Sequence, residues 1–380
     1  MTAPALPGPE TYAAAGATGV LGLPGARLAY QADGAGPAVL LVHGFGLDMR
    51  MWDHLRQVAT DRRHLDPAGH YNYADVFRLH ADTSPRPAAI ETAIGGPMNT
   101  APVTNSPTVT RDSILVDAAW LEAHLHDPAV RVVEVDVSRA AYDEWHIDGA
   151  ALWNIYTDLK DGNYGLIGAA ATTRLLARSG IAPDTTVVFY GYGPAMGFWL
   201  MKLYSHADAR ILNCSRDTWR GEGRPVSSAA AEPVPTAYPL GEPDARLRAA
   251  HETVRAAIAD PGTTLLDIRT PEEYRGERFW PSGGMEPGGR AGHIPTAVRQ
   301  SLDGVYDNRG AFRATADLRG LFSGLDLDGD GPLITYCTIG GRASTAWFVL
   351  AHLLGRGNVR VYDGSWAEWG RMPDTPVDTA

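Results

Sequence analysis

An internal repeat constrains the fold of this chain more than any other feature of its sequence. Four segments of a first copy match four segments of a second copy in the same order. Because chance similarity would not preserve this order, the sequence predicts two copies of one domain. The matched segments are RVVEVDVSRAAY (131–142) with TTLLDIRTPEEY (263–274), HIDGA (146–150) with HIPTA (293–297), TTVVFYGYG (185–193) with GPLITYCTI (331–339), and ARILNCSRDTW (209–219) with VRVYDGSWAEW (359–369).

Each copy alternates short apolar runs with stretches of helical character. In the second copy, TTLLDIR, PLITYC and VRVYD are predicted strands, and ASTAWFVLAHLL is a predicted helix. This alternation is typical of a parallel sheet covered by helices. The predicted fold class is therefore α/β, and ligands of such sheets bind where strands end and helices begin.

Two segments rich in Pro, Ala, Ser and Thr divide the chain into blocks. They are residues 83–110 and 226–244, which we interpret as linkers. A chain of 380 residues is expected to contain two or three domains. The predicted domains are residues 1–82, residues 111–225 and residues 245–376, of which the last is catalytic.

The composition argues against several functional classes. The formal net charge is -11 and no run of Lys and Arg occurs, so we expect neither a nucleic acid nor a membrane as a partner. No stretch reaches the roughly 20 apolar residues of a membrane span. The two cysteines, Cys214 and Cys337, form no disulfide framework, and the first residues do not resemble a signal peptide. A reducing cytoplasm is the expected compartment.

The sequence YCTIGGRAS (336–344) concentrates the predicted chemistry around Cys337. It reads as a strand end, a tight loop with glycines and a helix start. Such a loop directs backbone N–H groups and the helix N-terminus at the cysteine sulfur. Both favour the thiolate, which is the nucleophilic form. The alternative is a small buried cysteine with a structural role, and the flanking loop argues against it.

The second copy resembles the catalytic half of the tandem-domain rhodanese family, which contains thiosulfate and 3-mercaptopyruvate sulfurtransferases. The resemblance rests on LLDIRTPEEYRGE, GGRAGHIPTAV, ITYCTIGGRAS and VYDGSWAEWG in this order. It extends over both copies, about residues 112–376, and the Cys-x-x-Gly-x-Arg loop is most similar to the bacterial type. The resemblance implies two tandem rhodanese-like domains with parallel sheets flanked by helices.

The resemblance also implies a double-displacement reaction. Cys337 would attack the outer sulfur of a small anionic donor, hold it as a persulfide and pass it to a thiol or cyanide acceptor. The backbone amides of the loop would stabilise the sulfur anion, as an oxyanion hole stabilises oxygen. The implied substrate-binding residues are the loop residues Thr338, Ile339, Gly340, Gly341 and Arg342, together with Arg275 and Arg290 as further anion contacts.

Two departures from the family leave the donor open. Animal enzymes carry an arginine two residues before the position of Arg275, where this chain has Glu273. Thr338 follows the cysteine, where other thiosulfate enzymes carry a basic residue. We predict transfer from thiosulfate, with 3-mercaptopyruvate as the alternative donor and a non-catalytic sulfur-relay or interaction module as the alternative of another class. The spacing Cys-x4-Arg argues against a phosphatase, which uses Cys-x5-Arg.

The first copy has no nucleophile at the equivalent position. Gly191 aligns with Cys337, so this copy is expected to pack beside the second one and form a wall of its cleft. Cys214 aligns with Gly364 and is interpreted as structural. Asp267 and Arg269 are interpreted as a brace of the catalytic domain.

Residues 26–55 resemble the opening of an α/β-hydrolase, with the HGFG segment (43–46) as an oxyanion loop. The chain contains no G-x-S-x-G nucleophile elbow, so the block is interpreted as a partial hydrolase-like segment without that activity. The acidic segment DLDGDG (326–331) lacks the glutamate that would complete a calcium-binding loop. The histidines lack metal-ligand spacing and no phosphate-binding glycine loop occurs, so neither a metal nor a cofactor is predicted.

Overall fold

The structure is a computed structural model that describes Ala17–Leu23, Ala26–Ala32 and residues 111–379. The chain divides into two compact units, residues 1–96 and residues 97–380. In the first unit, β1 (Ala17–Leu23) and β2 (Ala26–Ala32) form an antiparallel hairpin. The HGFG segment of the hydrolase-like block lies outside the described residues.

The second unit contains both copies of the repeat, each built on a parallel sheet. The first module has the strand order β3-β8-β7-β4-β6. Its strands are β3 (Leu115–Val116), β4 (Val130–Asp136), β6 (Ala151–Asn154), β7 (Thr186–Gly191) and β8 (Ala209–Leu212). A short antiparallel ribbon joins β5 (His146–Ile147) to β9 (Val226–Ser227). The helices are α1 (Arg111–Ile114), α2 (Ala118–His124), α3 (Arg139–Glu144), α4 (Ile155–Asp158), α5 (Ala169–Arg178), α6 (Pro194–Leu203) and α7 (Arg216–Gly221).

The second module repeats this topology with the strand order β11-β10-β12-β13, again all parallel. Its strands are β10 (Thr264–Asp267), β11 (Val298–Arg299), β12 (Leu333–Tyr336) and β13 (Val359–Val361). Its helices are α8 (His251–Ala257), α9 (Pro271–Tyr274), α10 (Thr315–Leu321), α11 (Gly341–Phe348) and α12 (Ser365–Trp369), with a π-helical turn (Val349–Leu353) after α11. The predicted α/β class with two tandem modules is confirmed.

The repeat extends to individual side-chain contacts. Tyr142 stacks on His146 with ring centroids 3.8 Å apart, and Tyr274 stacks on His293 at 3.7 Å. In each pair the histidine Nδ1 lies within hydrogen-bond distance of the tyrosine carbonyl oxygen. These matches place HIDGA and HIPTA at equivalent points of the two modules.

The two modules share one hydrophobic core. Helix α6 is buried along its length and packs against α11 of the second module. Its Phe198 meets Phe348 edge to face, with centroids 4.9 Å apart, and also contacts His352 and Trp347. Aromatic pairs of this geometry add attraction beyond the burial of their area. The interface therefore resembles the interior of a single domain.

The segment after the first module, interpreted above as the linker of residues 226–244, follows the surface of that module. Tyr238 is buried, and its hydroxyl lies 2.9 Å from His206 Nδ1. Thr236 donates from its backbone N–H to Ala177 O and from its hydroxyl to Ile181 O. The connection between the modules is thus fixed by side-chain and backbone contacts.

The shared core makes Phe198 a test of coupling between the modules. Phe198→Ala should lower the free energy of unfolding by about 3–5 kcal/mol, because the missing ring leaves a cavity between α6 and α11. Urea unfolding followed by tryptophan fluorescence measures this loss. Val234→Ala is the control, since Val234 is 77% exposed, and it should change the free energy by less than about 0.5 kcal/mol. A loss below 1 kcal/mol in Phe198→Ala would contradict a packed interface.

Candidate active site

The loop around Cys337 lies at the carboxyl end of β12, in the middle of the second sheet. Cys337 follows Tyr336 directly, and α11 begins at Gly341 after a turn of three residues. The turn requires a left-handed residue at Gly340, whose φ is 92°. A Cβ there would also lie 2.8 Å from Asp363 O, so only glycine fits. The thiol is buried, with 1% of the residue exposed.

The backbone of this loop binds the cysteine sulfur. Gly340 donates its N–H to Cys337 Sγ over 3.1 Å, across the tight turn. Such a hydrogen bond stabilises the thiolate more than it stabilises the neutral thiol. The start of α11 lies directly behind it and adds the positive end of the helix dipole. The arrangement favours a sulfur nucleophile over an inert packing residue.

The first residues of α12 hold the loop in place through hydrogen bonds. Ser365 Oγ accepts the N–H of Cys337 at 3.1 Å and donates to Tyr362 O at 2.8 Å. Trp366 N–H donates to Cys337 O, and Ala367 N–H donates to Thr338 O. Ser365 adopts a φ of 54°, a strained value for a residue with a side chain. These bonds fix the orientation of the cysteine.

Arg342 forms a two-point ion pair with Glu273. The Nη1 and Nη2 atoms of Arg342 each donate to one carboxylate oxygen at 2.9 Å, and Nη2 also donates to Thr338 Oγ1. Glu273 is fully buried, whereas the Arg342 side chain is 22% exposed. Burial acts to raise the pKa of Glu273, but the bonds from Arg342 outweigh it and hold that pKa below its ordinary value. The glutamate that departs from the animal pattern is therefore the partner of the loop arginine.

The two other arginines named by the sequence analysis are engaged elsewhere. Arg275 forms an exposed pair with Glu277, with 2.7 Å between Nε and Oε1. Arg290 donates its guanidinium N–H groups to carbonyl oxygens near the C-terminus, including Trp369 O and Thr375 O. Within residues 111–379, neither guanidinium forms a hydrogen bond with the Cys337 loop. Both remain candidate anion contacts by prediction only.

The first module contributes residues to this site that the sequence analysis missed. Lys160 donates from Nζ to Asp363 O at 2.7 Å, and a Cβ on Gly340 would lie 3.3 Å from the same Nζ. Tyr156 and Tyr192 are 40% and 55% exposed. Desolvation raises the pKa of both phenols, and Cys337 and Arg342 are among the groups that act on them. Residues of both modules therefore surround the Cys337 loop.

The second cysteine has a different environment. Cys214 is partly buried near the end of β8, and it packs against the smaller hydrophobic cluster of the first module. Desolvation and the nearby Glu222 raise the pKa of its thiol to about 11. It is therefore a neutral thiol at pH 7, the less reactive form.

No group of three or more potential metal ligands occurs among the residues that the structure describes. No helix in the described part of the chain is long and apolar enough to cross a membrane.

The buried Arg342–Glu273 pair predicts a large cost when only one partner is removed. Arg342→Met should lower the free energy of unfolding by about 3–5 kcal/mol, because it leaves the Glu273 carboxylate buried without its counterion. The double variant Arg342→Met/Glu273→Gln should recover most of this loss. Arg275→Met is the matched control and should cost less than about 1 kcal/mol, since its pair is exposed. Urea unfolding at pH 7 compares the four proteins.

The Arg342–Glu273 pair also predicts how the free energy of unfolding changes with pH. Since the pKa of Glu273 is lower in the folded state, its stabilisation is complete above its ordinary value of 4.5 and is lost as pH falls through the folded value. Glu273→Gln should therefore flatten the acid limb of the stability curve. An unchanged acid limb, or a double variant no more stable than Arg342→Met, would contradict the pairing.

Comparisons with known proteins agree with this architecture. Residues 250–372 match the rhodanese-like domain family. A Mycolicibacterium smegmatis protein named "Putative thiosulfate sulfurtransferase" is 37% identical over 276 residues, which cover 71% of this chain and 99% of that protein. A Mycobacterium tuberculosis protein named "Putative thiosulfate sulfurtransferase SseA" is 40% identical over 287 residues, covering 73% of this chain and 95% of the relative.

Solved structures share the fold at lower identity. The anaerobic ergothioneine biosynthesis enzyme of Chlorobium limicola, in complex with trimethyl histidine, superposes with a TM-score of 0.63. It is 22% identical, and the alignment covers 72% of this chain and 71% of that chain. A structure of EanB with a cysteine persulfide and ergothioneine gives a TM-score of 0.61 at 22% identity, covering 70% and 71% of the two chains. The matched domain family and the extent of the relatives show that this chain belongs to the rhodanese family of sulfurtransferases.

Proposed function

We propose that this sulfurtransferase takes sulfane sulfur from thiosulfate and carries it as a persulfide on Cys337. One observation supports this assignment above the others. The Cys337 sulfur accepts a backbone hydrogen bond from Gly340, where a strand ends and a helix begins. A sulfur held in this way is suited to alternate between thiolate and persulfide anion, because neither form needs water to stabilise it.

In the first half-reaction, the Cys337 thiolate attacks the outer sulfur of thiosulfate. A new S–S bond forms, the S–S bond of the donor breaks, and sulfite leaves with the electron pair of that bond. In the second half-reaction, cyanide or a thiolate attacks the outer sulfur of the persulfide. Thiocyanate or a new persulfide leaves, and the Cys337 thiolate is restored.

The proposed donor is a small anion, which the protein as a whole repels through its formal charge of -11. Local cations must therefore attract it. Arg342 is our candidate contact, because 22% of its side chain is exposed beside the loop. Its pair with Glu273 leaves little net charge, so we propose that Arg342 orients the donor more than it attracts it.

The proposed compartment is the cytoplasm, where thiols stay reduced. Both cysteines are free, in agreement with that setting. A non-catalytic role in sulfur relay is the rival from another class, and turnover with a free acceptor separates the two.

The nucleophile is tested by replacing each cysteine in turn. Cys337→Ser should abolish the release of thiocyanate from thiosulfate and cyanide, whereas Cys214→Ser should retain nearly all of it, because Cys214 is a neutral thiol at pH 7. Mass spectrometry after exposure to thiosulfate should show one added sulfur atom on Cys337. The same assay with 3-mercaptopyruvate identifies the better donor through kcat/KM. Equal losses in the two variants would refute the assignment.

We also propose that the sulfurtransferase is contained in the second unit. Deleting the residues before Thr104 should leave kcat/KM within about twofold of the full chain, since the described contacts around Cys337 come from residues 156–367. Circular dichroism confirms that the shortened protein is folded before the comparison. A folded but inactive protein would show that residues 1–103 take part in transfer.

A further inference from the structure

Lys160 is a buried cation without a carboxylate partner. Only 6% of the residue is exposed. Within residues 111–379, its Nζ donates one hydrogen bond, to Asp363 O, and no carboxylate oxygen lies within ion-pair distance. Burying an ammonium group without a counterion is costly, so buried charges are normally paired. Among the described residues, Lys160 is thus a buried amino group that pairs with no carboxylate.

The nearest carboxylate is already engaged. The Asp363 oxygens accept from Arg248 Nε at 2.6 Å and from Leu166 N–H at 2.6 Å. Desolvation lowers the pKa of Lys160, while Asp363 and Cys337 act in the opposite direction. The carboxylate of Asp363 is thus already paired with Arg248. The other groups that act to raise the pKa of Lys160 are Cys337 in the loop and the adjacent Asp161, while Arg248 acts to lower it.

The geometry places the ammonium group at the loop that holds the sulfur. A Cβ on Gly340 would lie 3.3 Å from Lys160 Nζ, and the N–H of the same glycine donates to Cys337 Sγ at 3.1 Å. Two N–H bonds of the ammonium group remain available, since it has three donors and uses one. The backbone amide and the ammonium group therefore approach one small region from two modules.

We propose that Lys160 is the electrostatic counterion of the Cys337 sulfur, so that the module without a nucleophile provides a charge that the catalytic loop lacks. This inference rests on the proposed function and extends it. Thr338 and Ile339 follow the cysteine without a basic side chain, and Arg342 is neutralised by Glu273. The second module alone therefore has little net positive charge at its sulfur site, and Lys160 compensates from the first module.

The proposed role also includes the donor. A compact ammonium group is a point charge with rotatable donors, which suits a small anion such as the sulfonate end of thiosulfate. The charged side chains that act on Lys160 are Asp363, Asp161 and Arg248, and the carboxylate that acts on Arg342 is Glu273. Tyr156 and Tyr192 stand beside them as neutral phenols at pH 7. Among these groups, Lys160 should affect the net charge around the Cys337 sulfur most when it is replaced, because no carboxylate forms an ion pair with Lys160.

The test measures the charge of the sulfur directly, in a Cys214→Ser background where Cys337 is the one thiol. The ultraviolet absorbance of the thiolate is recorded against pH, and the rate of alkylation by iodoacetamide at pH 7 is measured beside it. Lys160→Gln should move the midpoint of the thiolate titration upward by about one pH unit, from the loss of one nearby charge, and should slow alkylation at pH 7 by up to about tenfold. The thermal midpoint should stay the same or rise, because a desolvated charge has been removed.

Two further variants separate charge from hydrogen bonding. Lys160→Met lacks the donor to Asp363 O that Gln retains, so equal shifts in both neutral variants identify the charge as the cause. Lys160→Arg should keep most of the thiolate at pH 7. The chain has one other lysine, Lys202, which donates to carbonyl oxygens of His206 and Ala207, and Lys202→Met is the matched control. Lys202→Met should leave the titration of the Cys337 thiol unchanged.

Each outcome decides the question. A folded Lys160→Gln protein with an unchanged titration overturns the proposal, and so does a shift confined to Lys160→Met, which would indicate only the hydrogen bond. Loss of the fold in both neutral variants would assign Lys160 to folding and also overturn it. Because the titration needs no sulfur donor, a shifted midpoint without any thiocyanate release would retain this inference while refuting the proposed function.

Discussion

Asp363 joins the two modules at the point where the sulfur is held. Its carboxylate accepts Leu166 N–H from the first module and the guanidinium of Arg248 from the segment before α8. Its carbonyl oxygen accepts Lys160 Nζ and lies so close to Gly340 that no side chain fits there. A single buried residue thus contacts both modules and excludes a side chain from the turn after Cys337. Displacing it would disturb the interface and the loop together.

This connection brings residues of the first module, which has Gly191 in place of Cys337, next to the Cys337 loop. Helix α6 packs on α11, and the chain after β6 then places Lys160 and Tyr156 beside the Cys337 loop. Close packing makes such an arrangement stiff, because a shared core resists small displacements. The surroundings of Cys337 are therefore formed by both copies: one carries the proposed nucleophile, and the other places Lys160 and Tyr156 beside it.

Much of this architecture could be predicted from the sequence, because it depends on local patterns. The order of the repeated segments indicated two parallel sheets, and TYCTIGGR indicated a strand end followed by a turn and a helix. The contacts between distant residues could not be predicted. Arg342 and Glu273 are 69 positions apart, and Lys160 and Asp363 are 203 apart, so no spacing rule relates them. Arg290 looked like an anion contact, and only the structure shows its hydrogen bonds to the C-terminal segment.

The backbone of the first module excludes a cysteine at the position that aligns with Cys337. Gly191, which aligns with Cys337, has a φ of 102°, and a Cβ there would lie 2.9 Å from Val135 O. Any side chain at this position would combine a left-handed conformation with a clash against the central strand β4. Restoring a nucleophile would therefore require the end of β7 to move as well as one residue to change. Because the backbone excludes a second nucleophile there, we expect the first module to act through residues that it places beside the Cys337 loop, such as Lys160.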